Sequence, residues 1–189
     1  MGWTIVTGGV ITDLPAGLPV GLQLVARAVS DATAQEPSAT NTPEQVSYGA
    51  GFGGPTSPIE ILADGTQIFH EDFLGYVVYQ FQFGRAGSGG VAELIFRSVA
   101  DINDGNGFSV QAGDGVHASL PNAGTNIPAS FTLPLVAQAG FKLKQEVIRD
   151  GSGANEGGFY GYTPSASAIV PAVGISPAAT ILFFKLVTV

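Results

Sequence analysis

Residues Asp101 to Gly107 read DINDGNG, a run whose carboxylate and amide oxygens invite a calcium reading. A calcium loop of the EF-hand type needs oxygen ligands at positions one, three and five, glycine at six and glutamate at twelve. Counted from Asp101, those last three places fall on Gly105, Asn106 and Ala112, so the pattern fails. Asn and Gly favour the positive φ of tight turns. A turn is therefore expected, with a structural cation as the lesser reading. His70, Glu71 and Asp72 set a candidate metal ligand beside two carboxylates. In a strand His70 and Asp72 would share one side, and a third ligand would have to come from elsewhere, such as His117. A solvated hairpin end is the simpler expectation.

Other chemistries fare no better. Glycoside hydrolysis needs two carboxylates facing across a substrate. Glu60, Glu71, Glu93 and Glu146 lie on expected strands, most on polar faces, and no spacing singles out a pair. The chain has no cysteine and no G-x-S-x-G elbow. GRAGSGG, Gly84 to Gly90, lacks the G-K-[ST] of a phosphate loop and precedes a strand, so it reads as a hairpin connection. Tyr76, Tyr79, Tyr160, Tyr162 and Phe159 could stack on sugar rings, although such residues in β-rich proteins more often pack across strands. No catalytic residue, metal ligand set or cofactor is expected.

Composition points elsewhere. Only 12% of the 189 residues are charged, against roughly 25% in typical globular chains. A 19.3 kDa monomer has roughly 8,500 Å² of surface. Its 7 basic and 15 acidic residues then supply one charge per roughly 390 Å². Part of that surface is expected to be covered in the working state. A net charge of −8, with Arg27, Arg85, Arg97, Lys142, Lys144, Arg149 and Lys185 spread along the chain, argues against nucleic acid. No stretch approaches the roughly 18 apolar residues of a membrane span. The start, MGWTIVTGGVITD, lacks the basic region of a signal peptide.

The elements that must position these residues are strands. Gly and Pro, 27 and 12 in number, punctuate the chain at the spacing of a sandwich or barrel. Val20 to Ala34 alternates through Val20, Leu22, Leu24, Ala26 and Ala28. PIEIL and QIFHED flank a turn around Asp64-Gly65. FLGYVVYQFQF puts Phe73, Val77, Tyr79, Phe81 and Phe83 on one face, and GFKLKQEVIRD puts Phe141, Leu143 and Val147 inward. With GVAELIFRSVAD, ASFTLPLVA, GGFYGYT, the terminal TILFFKLVTV and the N-terminal WTIVTGGVIT, about eight to ten strands are expected, the number of a jelly roll. The expected architecture is an all-β antiparallel sandwich of jelly-roll type with an extended N-terminal arm or segment. Residues 1–33 form the arm or first strands, 34–57 a linker or long loop, and 58–189 the jelly roll, or else 1–189 is one continuous domain.

The last strand carries apolar residues on both faces: Leu182, Phe184 and Leu186 on one, Ile181, Phe183 and Val187 on the other. One face fills the sandwich and the other is free to fill a contact between copies. Ile181, Phe183, Phe184 and Val187 are the candidates there. Trp3, Ile5, Val6 and Val10 are candidates for an anchoring segment, with a first-strand core role for Trp3 as the alternative. Tyr160 and Tyr162 are candidates for ligand stacking.

Cysteine-free, low-charge, Gly-rich strands, the WTIVTGGVITDLPAGLP segment, GANEGGFYGYT and ILFFKLV together resemble the jelly-roll virion proteins of tailed bacteriophages. These are capsid decoration or cement proteins, head fibres and tail-fibre tips. The GGFYGY run is also similar to the Gly-aromatic strand of trimeric tumour-necrosis-factor-like and C1q-like domains. The virion resemblance implies a homotrimer located in the virion and bound to a major capsid protein or another virion protein. Its role would be stability or attachment, including attachment to a host-surface glycan, and no catalytic residue carries over.

Overall fold

The computed structural model describes residues 20–30, 33–49, 54–85, 91–110, 115–121, 126–150, 157–161 and 177–188. Twelve strands occur among them. The long ones are β1 (Val20–Val29), β5 (Phe73–Gly84), β6 (Ala92–Asp101), β9 (Asn126–Ala137), β10 (Lys142–Arg149) and β12 (Ala179–Thr188). Shorter ones are β2 (Glu44–Gln45), β3 (Ile59–Ile61), β4 (Gln67–Phe69), β7 (Ser109–Val110), β8 (Val116–Leu120) and β11 (Gly158–Phe159).

They form two antiparallel sheets. The first runs β1-β12-β5, with β9 on the far side of β5, and β11 continues the line of β12 at the end of β5. The second runs β3-β4-β10-β6, then β7 and β8 side by side along β6, while β2 pairs the end of β10 beyond β4. The chain crosses repeatedly between the sheets and returns at its end to place β12 between β1 and β5. That winding, antiparallel throughout, makes the protein a jelly-roll β-sandwich, as expected from the strand count and turn spacing.

Alternation along the strands explains the layers. In β5, Phe73, Val77, Tyr79, Phe81 and Phe83 are buried, while every intervening side chain is at least partly exposed. In β6 the inward set includes Leu94 and Phe96, and in β10 it includes Leu143, Gln145 and Val147. Aromatic rings join the sheets at two places. Phe69 of the second sheet meets Phe73 and Phe183 of the first edge-on, at 5.4 and 5.7 Å. Phe96 of the second sheet stacks on Phe81 at 4.6 Å. Such pairs contribute about 0.5–1.5 kcal/mol beyond the area they bury.

A polar line crosses this core. Gln67 and Gln145 exchange amide hydrogen bonds at 3.0 and 2.9 Å. Tyr48 donates to Gln145 Oε1 at 3.1 Å, and Gln145 Nε2 reaches the Tyr79 hydroxyl at 3.4 Å. Mutual satisfaction is what makes buried amides tolerable.

Two alternatives were open along the N-terminal part, arm or first strands for residues 1–33 and linker or long loop for 34–57. In the described residues, β1 is a full strand of the first sheet, paired with β12 from Val20↔Thr188 to Val29↔Thr180. Gln35 bridges Phe159, β2 pairs with β10, and Val46 and Tyr48 are buried in the core. The described part of the stretch is therefore a long connection inside one sandwich.

Candidate functional site

The site that stands out is the outer face of the first sheet. Register places Leu24 opposite Phe184, Phe184 opposite Tyr76, and Tyr76 opposite Pro134. This apolar row crosses four strands. Leu22 and Leu186 pair on one side of it, and Leu182 and Val78 on the other. Leu22 is 59% exposed and Leu24 40%. Among the described outward positions of this sheet Arg27 is the one formal charge, opposite Leu182. Toward the other end the rows turn polar: Val29, Thr180, Gln80 and Ser130 share one, and Gln82 pairs with Pro128 in the next.

A β-bulge makes part of this face. Between Leu24 and Ala26 the register of β1 shifts. Leu22 and Leu24 therefore point outward while Ala26 and Ala28 are buried against the core. Simple alternation would have kept all four on one side. Gly75 holds β5 close to β12: a Cβ there would fall well inside van der Waals contact of the Phe184 carbonyl oxygen.

The C-terminal candidates divide. Ile181 and Phe183 are completely buried in the sandwich, Phe183 against Phe69 and Phe73, so they cannot form a contact surface. Val187, half-buried opposite Gly21, shares their phase. Phe184 alone of the four lies on the outer face. Its companions there are Leu182 and Leu186, together with Leu22, Leu24 and Tyr76 from neighbouring strands. Trp3, Ile5, Val6, Val10 and Tyr162 lie outside the described residues. Tyr160 is half-buried and its hydroxyl donates to Glu36. Tyr79 and Phe159 are core residues, which ends their reading as sugar platforms.

The remaining motifs settle into structural roles. In DINDGNG, Asp101 Oδ1 accepts from the Asn103 backbone and Asp104 Oδ1 from the Asn106 backbone, both at 2.9 Å. Asn103 has φ of 63° and Gly105 of 86°, as the turn reading requires. Hydrogen bonds from Asn106, backbone first, hold the Asp104 carboxyl below its usual range. His70 pairs with Glu60 at 2.9 Å and His117 with Glu93 at 2.7 Å. Strands β10 and β6 separate the two histidines, and Asp72 instead accepts from the Ala139 backbone. Among the described residues no three metal-ligating side chains converge. No helix among them is long and apolar enough to cross a membrane.

The outer face of the second sheet contrasts with the first. Arg97 bonds Glu146 through Nε at 2.9 Å, and Lys144 reaches the same carboxylate at 3.3 Å. Lys142 faces Asp101, and Lys144 also lies 4.8 Å from the centre of the Phe108 ring. Ion pairs cover part of this face, which also carries Ile68 and the facing pair Ile95 and Ile148.

No family model matches the chain, and no curated protein matches it. Two solved structures are similar in overall course. The Eiger TNF structure from S. frugiperda has a TM-score of 0.48 at 11% identity, over 88% of this chain and 94% of that one. The globular domain of zebrafish complement 1qA protein has a TM-score of 0.46 at 10% identity, over 88% of this chain and 100% of that one. The resemblance to tumour-necrosis-factor-like and C1q-like domains has its counterpart in these two, and the virion resemblance has none in them.

Proposed function

We propose that this protein is a non-enzymatic structural module that works as a homo-oligomer, three copies packing through the outer face of the first sheet. The carrying observation is the row Leu24, Phe184, Tyr76 and Pro134, set in an apolar surface that nothing in the described chain covers. Exposed apolar surface of this extent favours association. A stable contact needs about 800 Å² per partner. Cyclic symmetry would close the contact without leaving a sticky face exposed. The low charge count then has a physical place, because charge is concentrated on the other sheet.

The finer role within this reading is a virion component, a capsid decoration or cement protein bound to a virion partner. Its support is the sequence resemblance carried by WTIVTGGVITDLPAGLP, GANEGGFYGYT and ILFFKLV. Sedimentation equilibrium at micromolar concentration tests the oligomer: three subunit masses are expected, and a stable monomer refutes it. Co-sedimentation with virus particles tests the finer role. An oligomer that never associates with particles would reject that role and leave the oligomer standing.

A further inference from the structure

Beyond the apolar row, the outer face of the first sheet holds a shallow hollow of about 370 Å³. Gln80 and Gln82 of β5, Ser130 of β9 and Thr180 of β12 line it, with Pro128 and Pro177 on either side. Its floor is closed backbone. Phe81 and Ala129 face each other in the ladder, and the Gln82 N–H donates to the Ala178 carbonyl at 3.1 Å. The floor therefore offers little hydrogen bonding of its own, and recognition falls to the side chains.

Those side chains have polar atoms left to offer a ligand. The two Gln amides and the Ser130 hydroxyl make no side-chain hydrogen bond among the described residues, whereas Gln67 and Gln145 in the core bond each other. Thr180 lines the hollow too, and its hydroxyl makes no hydrogen bond among the described residues. Two primary amides and two hydroxyls supply both donors and acceptors. Among the described residues no charged side chain lines the hollow, so those residues do not select an anion or a cation. The proline rings add apolar edges on both sides.

We propose that this hollow binds a neutral, hydroxyl-rich ligand, a saccharide unit. Sugar hydroxyls both donate and accept, matching amides and hydroxyls, and the C–H faces of the ring suit the prolines. Gln80 lies four residues along β5 from Tyr76, about 13 Å at the rise of a strand. The hollow is thus beside the apolar row and not under it. The inference goes beyond the oligomeric reading and does not depend on it.

The test is NMR titration of the ¹⁵N-labelled full chain with neutral hexoses and disaccharides, glucose, galactose, mannose, lactose and maltose, reading the side-chain amide signals of Gln80 and Gln82. At least one sugar is expected to shift both signals saturably at millimolar concentration. In Gln80→Leu and in Thr180→Val the apparent Kd is expected to rise at least about tenfold, with the rest of the spectrum unchanged. No shift with any of the sugars, or shifts that persist undiminished in both variants, would overturn the proposal. A Thr180→Val variant that misfolds leaves Gln80→Leu to decide, since Gln80 is an exposed side chain. Native mass measured on the same samples reports the oligomer separately, so loss of one does not imply loss of the other.

Discussion

Replacing Leu22 and Leu24 together with serine should weaken self-association without weakening the subunit. Fully burying a leucine contributes about 1.5–3 kcal/mol. Leu22 leaves 59% of its surface open and Leu24 40%, so about one leucine's worth of burial, roughly 1.5–3 kcal/mol per subunit, remains to be gained when copies pack. At 1.4 kcal/mol per tenfold, the double change should weaken the contact by about 10- to 150-fold per subunit. The cost to the isolated fold is small, because neither side chain fills the core. Sedimentation velocity across a micromolar dilution series gives the association midpoint, and chemical denaturation at high dilution gives subunit stability. Val110→Ser is the matched control. Val110 is 55% exposed, but it belongs to β7 of the second sheet and should leave the midpoint alone. If Leu22→Ser/Leu24→Ser assembles as tightly as the parent, or if Val110→Ser disrupts assembly as much, the outer face of the first sheet is not the contact.

Burial, and next the neighbouring Tyr79, push the Tyr48 hydroxyl well above its ordinary value of 10.0. Its folded pKa is raised, so its contribution is fully present below pH 10 and is lost as pH climbs from there toward the folded value, by up to about 1.4 kcal/mol per pH unit. Tyr48→Phe should cost about 0.5–1.5 kcal/mol at neutral pH through the lost bond to Gln145, and flatten the alkaline limb in urea denaturation. Equal slopes in both proteins would contradict this. Gly75→Ala must push β12 from β5 at the Phe184 carbonyl, costing about 3 kcal/mol. A thermal scan should then show a Tm about 6–12 °C lower, and an unchanged Tm would show that the sheet gives way freely. Pro128 and Pro134 sit on β9, whose second edge has no partner among the described residues. Lacking N–H groups, they remove donors from that open edge. Pro128→Thr/Pro134→Thr should keep the fold but form large aggregates in light scattering, and a clear solution would refute the edge-guarding role.

How much of this was legible in the sequence depends on what fixes each feature. Strand β5 declares its inward face by alternation, β6 and β10 do so over most of their length, and Asp64-Gly65 declares its hairpin, because these are local properties. Gly65, at φ 90°, takes a conformation that few other residues adopt. The last strand announces two apolar faces but not which one turns inward. That choice is made by register with β1 and β5, a long-range matter, and it put Ile181 and Phe183 in the core and Phe184 outside. The bulge in β1 defeats period two for a related reason, since one extra residue moves the following side chains to the other face. Residues 34–49 look like solvent-loving connection, yet Tyr48 is drawn inside by pairing between β2 and β10 and by the waiting Gln145. Composition within a window cannot report a partner 97 residues away.

The two sheets face the same difficulty and resolve it differently. Each must bury one side against the other, and each is left with a second side to present to water. On the second sheet that side carries self-paired charges among a few isoleucines: Arg97 and Lys144 share Glu146, and Asp101 takes Lys142. Valine 99, outward in phase, is nonetheless buried and pairs with Val110 of β7. On the first sheet the corresponding positions carry leucines, Phe184, Tyr76 and prolines, with Arg27 as the one charge among those described. A low overall charge could have been spread evenly, giving a uniformly weak surface that aggregates without direction. In the proposed oligomer, concentrating the charge on one sheet would make association directional, with apolar burial gained through one face and the other kept in water. Under that proposal the distribution, more than the low total, favours a closed assembly over an open one.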